Sequence, residues 1–187
     1  LAKDQAVAPL LEALENPHFA AGRPQLAEVL VGLQSRVDDP RIESALLTHL
    51  GTDPDPRVKA RIAYKLGLFR RTSGIEALFG ALDDAAGEVR FQSIWALGQM
   101  ADQLSPEQVE RLQEHSRRLA TDANRGAKRE ATIRVESFVD AWIQEARRLS
   151  IRGQLAEAES LFAMALAYCP SSKRANYRMA RFYFDKL

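Results

Sequence analysis

A pattern of paired helices with a period of 32 residues is the feature that most restricts how this chain can fold. The dipeptide Ala-Leu recurs in phase at Ala13-Leu14, Ala45-Leu46 and Ala77-Leu78. Apolar residues at helical spacing surround each of these positions, and short turns rich in Asp, Pro and Gly separate the segments. A unit of this size cannot bury its apolar face alone, so it is stabilised by stacking on its neighbours. The period therefore predicts an all-α fold, an α-solenoid of antiparallel helix pairs.

The second helix of each pair carries a motif of its own. A polar turn leads into Val next to a basic residue, and the helix ends in Leu-Gly, as in the segments 55–67 and 87–98. Proline favours the first turn of a helix, and glycine after the last Leu accepts a cap or lets a neighbouring helix approach. The motif resembles the short HEAT-like repeats. This resemblance implies three helix pairs, at 3–15 with 23–36, 41–51 with 57–70, and 74–83 with 88–101.

Charged residues near the starts of these second helices also recur. Asp55, Arg57, Asp84 and Arg90 predict a ladder of bonds between successive repeats. Arg57, Arg61 and Lys65 follow one another at four-residue spacing, which favours a solvated basic face.

A different pattern occupies residues 139–170. Two apolar stripes at helical period are separated by Gly153, and the stretch ends at Pro170. It resembles a tetratricopeptide repeat, whose unit of 34 residues has small, bulky and turn residues at fixed offsets. The matching residues are Trp142, Ala146, Leu149, Gly153, Ala158, Phe162, Ala165 and Pro170. The resemblance implies one such repeat followed by the first helix of a second, which either caps the array or begins a longer one.

Three regions are predicted from these patterns: HEAT-like repeats at 1–104, a connecting helix pair at 105–138, and the tetratricopeptide unit plus one helix at 139–187. Ser105, Pro106 and Gln108 form a capping-box helix start. The segment 127–152 predicts one helix of roughly 26 residues, about 39 Å long. A continuous helix would join both repeat types in one body, whereas a break near Glu136-Ser137 would give two domains that hinge.

Composition excludes several classes of protein. The formal net charge is +1, so no global field favours nucleic acid or an anionic membrane. Charge is nevertheless uneven, because residues 1–56 carry a net −5 and residues 105–187 a net +4. No apolar run approaches the ~18 residues of a membrane span.

A soluble protein is expected, with the compartment open between cytoplasm and periplasm. The first residue is Leu rather than Met, from which we expect a piece of a longer protein.

The sequence contains none of the residue arrangements that catalysis or metal binding usually requires. It has no Gly-rich phosphate loop and no metal-spaced Cys or His cluster. Cys169 is the only cysteine, and His18, His49 and His115 are scattered, which favours structural or surface roles. We therefore expect no enzymatic activity, no cofactor and no metal.

The remaining candidate function is binding to another molecule through the surface of residues 139–187. In a tetratricopeptide array the first helix of each unit lines the groove, which the resemblance places here at Asp140, Ile143, Arg147 and Ser150, and then at Arg174, Tyr177, Arg178, Arg181 and Phe184. The candidate peptide-binding residues are Arg147, Arg174, Tyr177, Arg178 and Arg181. Guanidinium groups bind carboxylates bidentately and stack on aromatics, so this wall favours an acidic peptide, although a plain solvated face fits it equally well. The Lys-Asn pattern of clamps for a C-terminal carboxylate is replaced, which argues against chaperone-tail binding.

The sequence thus predicts a non-enzymatic scaffold for protein–protein interaction, with another protein or an acidic segment as partner and an open oligomeric state. The alternative is an accessory arm of a larger enzyme or electron-transfer protein, such as a multihaem cytochrome, with the catalytic part outside this chain. A third hypothesis, resemblance of the HEAT-like part to bilin-handling lyases, requires a pocket for which the sequence offers no residues.

Overall fold

The computed structural model describes residues 6–185, apart from the side chain of Pro17. Within that range the secondary structure is helical throughout, without a strand. The helices are α1 (Val7–Glu15), α2 (Arg23–Val37), α3 (Pro40–Thr52), α4 (Pro56–Leu68), α5 (Ile75–Ala81), α6 (Gly87–Gln99), α7 (Pro106–Leu119), α8 (Arg125–Ile151), α9 (Leu155–Tyr168) and α10 (Lys173–Phe184). The predicted all-α class is confirmed. The predicted start of the first helix, at residue 3, and residues 186–187 lie outside the described range.

Local capping explains where several helices begin. Proline is the first residue of α3, α4 and α7, where its missing N–H needs no partner. Asp39 and Asp55 each accept a hydrogen bond at 2.9 Å from the backbone N–H two residues later. Ser105 accepts from the N–H of Gln108 at 3.2 Å while the Gln108 side chain accepts from the N–H of Ser105 at 2.9 Å, so the predicted capping box is present.

The chain divides into two compact units, residues 1–130 and 131–187. In unit 1 the second helices of the pairs, α2, α4 and α6, pack on one another in sequence order. The first helices, α1, α3 and α5, pack against them as a second layer. This is the stacking that the 32-residue period predicts. The boundaries predicted at residues 104 and 138 stay predictions.

Helices α4 and α6 approach each other closely at Gly67. A Cβ atom added at Gly67 would lie 2.5 Å from Cα and 2.6 Å from Cβ of Ala96. Ile62, Leu66 and Leu97 are buried around this contact, so the two helices meet through an apolar face. Glycine at this position is therefore required for close packing, as the Leu-Gly ending of the second helices suggests.

A ladder of charged residues connects successive pairs in unit 1, but its members differ from those predicted. The acceptors are Asp53, Asp84 and Asp122, each of which also accepts from the backbone N–H two residues later at 2.7–2.8 Å. Each lies in the turn that precedes a second helix. The donors come from the second helix of the preceding pair: Arg23 to Asp53 at 2.5 Å, Lys59 to Asp84 at 2.8 Å, and Arg90 to Asp122 at 2.7 Å.

The sequence-based ladder is therefore wrong for two of its four residues. Asp55 and Arg57 bond to each other across two positions, with Arg57 Nη2 2.8 Å from Asp55 Oδ2, and do not connect repeats. Asp55 is engaged in capping α4, so the inter-repeat role falls to Asp53 two residues earlier. Asp84 and Arg90 are ladder members as expected. Asp84 bonds to Lys59 of the preceding pair, and Arg90 bonds to Asp122 in the following turn.

Unit 2 contains α9, α10 and most of α8. Its core consists of Val139, Ile143, Ala146, Ala158, Phe162, Ala165, Ala175 and Phe182, all buried. Trp142, Leu149 and Tyr168 pack against this cluster, and the Trp142 and Tyr168 rings meet edge to face at 5.2 Å between centroids. Gly153 ends α8 with φ +78°, a conformation that glycine adopts without strain, and the N–H of Gln154 bonds to the carbonyl of Leu149.

The long segment predicted at 127–152 forms one helix. α8 spans 27 residues and is continuous across Glu136 and Ser137. The boundary between the compact units falls inside it, after Glu130. The break considered near Ser137 is thus absent from this helix.

Candidate functional site

An open cleft of about 300 Å³ in unit 2 brings together three of the five predicted binding residues. Arg147 comes from α8, and Arg178 and Arg181 come from α10. Ser150, Ile151 and Asp185 complete the rim. Residues three or four positions apart share one side of a helix, which explains why 147, 150 and 151 of α8 and 178, 181 and 185 at α10 line one space. We call this space the arginine cleft.

The floor of the arginine cleft is apolar. Phe162 of α9 and Phe182 of α10 both line it, and they are 2% and 6% exposed. Their ring centroids are 5.2 Å apart. An apolar floor lowers the local dielectric beneath the guanidinium groups, which strengthens their attraction for an anion relative to the same groups in open water.

The three arginines differ in how their charge is neutralised. Arg181 Nε lies 3.6 Å from Asp185 Oδ2, and a hydrogen bond to Tyr177 together with the charge of Asp185 raises the pKa of Arg181 above its usual value. Arg147 donates to Gln144 at 3.4 Å, and the Arg178 guanidinium lies 5.8 Å from the centre of the Tyr177 ring. Among residues 6–185 neither Arg147 nor Arg178 makes an ion pair. Two positive charges at the cleft are therefore available to a ligand.

The other two predicted residues lie outside the arginine cleft. Arg174 forms an ion pair with Asp140, and both line a different cleft of about 480 Å³ at the start of α10. Tyr177 lines a shallow pocket of about 430 Å³ with Phe184, Arg181 and Asp185. The structure thus separates Arg174 from the other four predicted residues.

One residue expected on the groove wall is buried instead. Ile143 is 1% exposed and belongs to the core of unit 2, because it follows Val139 and precedes Ala146 on the stripe that packs inward. The expectation that Ile143 faces a ligand is therefore wrong. Ser150 and Phe184, also expected on the wall, line the arginine cleft and the neighbouring pocket.

Unit 1 has a groove that sequence reasoning missed. It measures about 470 Å³ and is lined by α2, α4 and α6, with Gln25, Arg57, Arg61, Tyr64 and Gln92 among its residues. Positions 57, 61 and 64 in α4, and 88 and 92 in α6, recur three or four residues apart, and this spacing is the signal that could have located the groove.

The basic face predicted on α4 is largely paired. Lys65 Nζ lies 2.7 Å from Oε1 of Glu28, and Arg61 Nη1 lies 3.5 Å from Oε2. The hydrogen bond from Lys65 holds the pKa of Glu28 below its usual value. These pairs link α2 to α4, so Arg61 and Lys65 hold neighbouring helices together, and only Arg61 of the two is exposed.

The buried histidine His49 has a structural role. His49 is buried in α3, with Nδ1 2.8 Å from Asp53 and Nε2 2.9 Å from Glu15, so it joins the first two helix pairs.

Over the described part of the chain, no group of three or more His, Cys, Asp or Glu side chains is placed to hold a metal ion. None of the helices described there has the length and apolar character needed to cross a membrane.

Comparison with known proteins supports the prediction of HEAT-like repeats. Residues 42–134, just under half of the chain, match a family model described as HEAT repeats. The comparison with curated proteins found no match. The matched segment begins in α3, includes α4, α5, α6 and α7, and ends in the first part of α8. HEAT repeats serve in general as non-enzymatic surfaces for protein–protein interaction. About half of this chain is therefore similar to the HEAT repeats in both sequence and helix packing.

Proposed function

We propose that this chain is a non-enzymatic scaffold that binds an acidic segment of another protein in the arginine cleft of unit 2. The observation that carries the proposal is the convergence of Arg147, Arg178 and Arg181 on one apolar-floored cleft. Two of these arginines have no acidic partner in the described part of the chain.

We also propose that residues 139–187 are a tetratricopeptide unit followed by one helix of a second. The positions that the resemblance assigns to small or bulky apolar residues support this, because Ala146, Ala158, Phe162 and Ala165 are all buried. Gly153 has a positive φ at the turn between the two helices. In such a unit the arginine cleft lies between the first helices of successive repeats, where an extended peptide binds.

The chemistry of the cleft favours a carboxylate. A guanidinium group offers paired N–H donors in one plane, which match the two oxygens of a carboxylate, and such bonds are stronger than neutral hydrogen bonds. Asp185, whose carboxylate lies 3.6 Å from Arg181 Nε at the rim, supports this preference. A ligand carboxylate between Arg147 and Arg178 would meet charge that no acidic residue described in the structure neutralises.

The proposal is tested by fluorescence anisotropy with a labelled Asp/Glu-rich peptide and its Asn/Gln counterpart. The Arg178→Glu plus Arg181→Glu double variant should lose binding of the acidic peptide by at least about tenfold, because two favourable charges become repulsive. The matched control is Arg148→Glu plus Arg152→Glu, which makes the same change of charge in unit 2 at exposed residues that do not line the cleft. Equal binding by both double variants would remove the cleft as the site.

A further inference from the structure

A second pocket adjoins the arginine cleft and shares two of its residues. This aromatic pocket is lined by Tyr177, Ala180, Arg181, Phe184 and Asp185. Arg181 and Asp185 belong to both linings, so the two spaces are neighbours along α10. A ligand that reaches one of them passes beside the other.

The aromatic side chains of this pocket are unusually open to solvent. Tyr177 is 59% exposed and Phe184 is 76% exposed. Tyr183, on another side of α10, is used within unit 2, because its hydroxyl donates to Glu159 at 2.5 Å. An exposed Phe surrounded by polar groups is a feature of binding sites, since burying an aromatic ring against a partner removes a large apolar area from water.

The spacing along α10 limits what a partner can offer. Tyr177, Arg181 and Phe184 are four and three residues apart, so they follow one side of the helix. At ~1.5 Å per residue the rise is about 6 Å from Tyr177 to Arg181 and about 5 Å from Arg181 to Phe184. An extended chain advances ~3.3 Å per residue and directs alternate side chains to one face, so two residues of a bound segment span either distance.

We infer that the partner segment carries an acidic side chain in the arginine cleft and, two residues away, an aromatic or large aliphatic side chain in the aromatic pocket. This rests on the proposed function and adds the second element of recognition. The acidic residue is chosen by charge complementarity with Arg181, which lines both spaces, and with Arg147 and Arg178 in the cleft. The apolar residue is chosen by the exposed rings of Tyr177 and Phe184, which flank Arg178 and Arg181 along α10.

The test compares three labelled Gly/Ser peptides that differ at two positions only: Asp-Ser-Phe, Asp-Ser-Ala and Asn-Ser-Phe. Affinities are measured by anisotropy on the whole chain, on Phe184→Ala, and on Phe19→Ala as the control. Phe19 is also an exposed aromatic, at 51%, but lies in unit 1. The Asp-Ser-Phe peptide should bind about tenfold more tightly than either of the others. Phe184→Ala should abolish its advantage over Asp-Ser-Ala, and Phe19→Ala should leave it unchanged.

The outcomes separate this inference from the proposed function. Equal binding of Asp-Ser-Phe and Asp-Ser-Ala overturns the aromatic element and leaves the acidic cleft in place. Equal binding of Asp-Ser-Phe and Asn-Ser-Phe, or no binding of any peptide, contradicts the acidic cleft and this inference with it. Sedimentation equilibrium supplies a further check. If the chain is a dimer that Phe184→Asp converts to a monomer, a second copy covers the aromatic pocket and the inference is wrong.

Discussion

Arg90 and Asp122 are 32 residues apart in sequence, yet Nε and Nη2 of the arginine each lie 2.7 Å from a carboxylate oxygen of the aspartate. One repeat earlier, Lys59 makes the corresponding ion pair with Asp84 through a single bond of 2.8 Å. In each case the aspartate also accepts a backbone N–H in its own turn, so one carboxylate fixes the turn and receives the neighbouring repeat. The charge ladder of unit 1 thus joins each helix pair to the turn before the second helix of the next pair.

Removing one member of such a pair should destabilise unit 1. The Arg90 and Asp122 side chains are only 18% and 8% exposed, so Asp122→Ala leaves a largely buried guanidinium without its main partner. We expect a loss of about 2–3 kcal/mol in the free energy of unfolding. Urea unfolding in a Trp142→Phe background measures it, because the fluorescence then reports on Trp95 in unit 1.

The double variant Arg90→Met plus Asp122→Ala serves as the control for that loss. With both charges removed, we expect a smaller loss than the sum of the two single losses, with a coupling of about 1–2 kcal/mol. Additive losses would mean that the pair contributes nothing beyond its separate contacts.

The same pair predicts a dependence of stability on pH. The hydrogen bonds from Arg90 hold the pKa of Asp122 below its ordinary value of 3.8, despite an opposing effect of burial. Near that pH the folded protein binds fewer protons at this carboxyl than the unfolded chain does. The contribution is therefore complete above the ordinary pKa and is lost as pH falls through the lower folded value.

The difference in unfolding free energy between the native sequence and Asp122→Asn isolates this carboxyl from others with lowered pKa values. We expect a constant difference from about pH 7 down to about pH 5 and a shrinking one from there to about pH 3. Urea titrations at a series of pH values provide the measurement. A difference that stays constant throughout would show that Asp122 is not held ionised by Arg90.

The close approach of α4 and α6 predicts opposite effects of two Gly-to-Ala changes. Gly67→Ala places a methyl group 2.5 Å from the backbone of Ala96, so the helices must separate, at a cost of about 1–3 kcal/mol. Gly32→Ala, in the middle of α2, meets nothing within 4 Å and should stabilise by about 0.5–1 kcal/mol through helix propensity. Thermal unfolding followed by circular dichroism compares them. A Gly67→Ala protein as stable as Gly32→Ala would contradict the observed helix contact.

Helix positions could be predicted from the sequence because their signals are local. Asp55-Pro56 and Ser105-Pro106 fix the starts of α4 and α7 through capping groups within three residues. The 32-residue period also predicts which helices pack together, since the equivalent apolar stripes of successive repeats must face one another.

Side-chain partners between helices could not be predicted in the same way. Asp53 and Asp55 are two residues apart and chemically identical, and only the geometry of the turn decides that Asp55 caps α4 while Asp53 receives Arg23. Ile143 differs from the cleft residue Arg147 by one helical turn, yet its position on the core stripe buries it. Such choices depend on which face of a helix meets its neighbour, which spacing alone does not specify.

The most direct test of the binding proposal is to observe the arginine side chains themselves. Nuclear magnetic resonance of the Nε–Hε groups in ¹⁵N-labelled protein can follow each arginine during titration with an Asp/Glu-rich peptide. The account predicts saturable shifts at Arg147, Arg178 and Arg181 and none at Arg41 or Arg57, which are exposed in unit 1 and bonded to Asp39 and Asp55. Shifts of similar size at all five would contradict a specific cleft and leave only a diffuse attraction of charge.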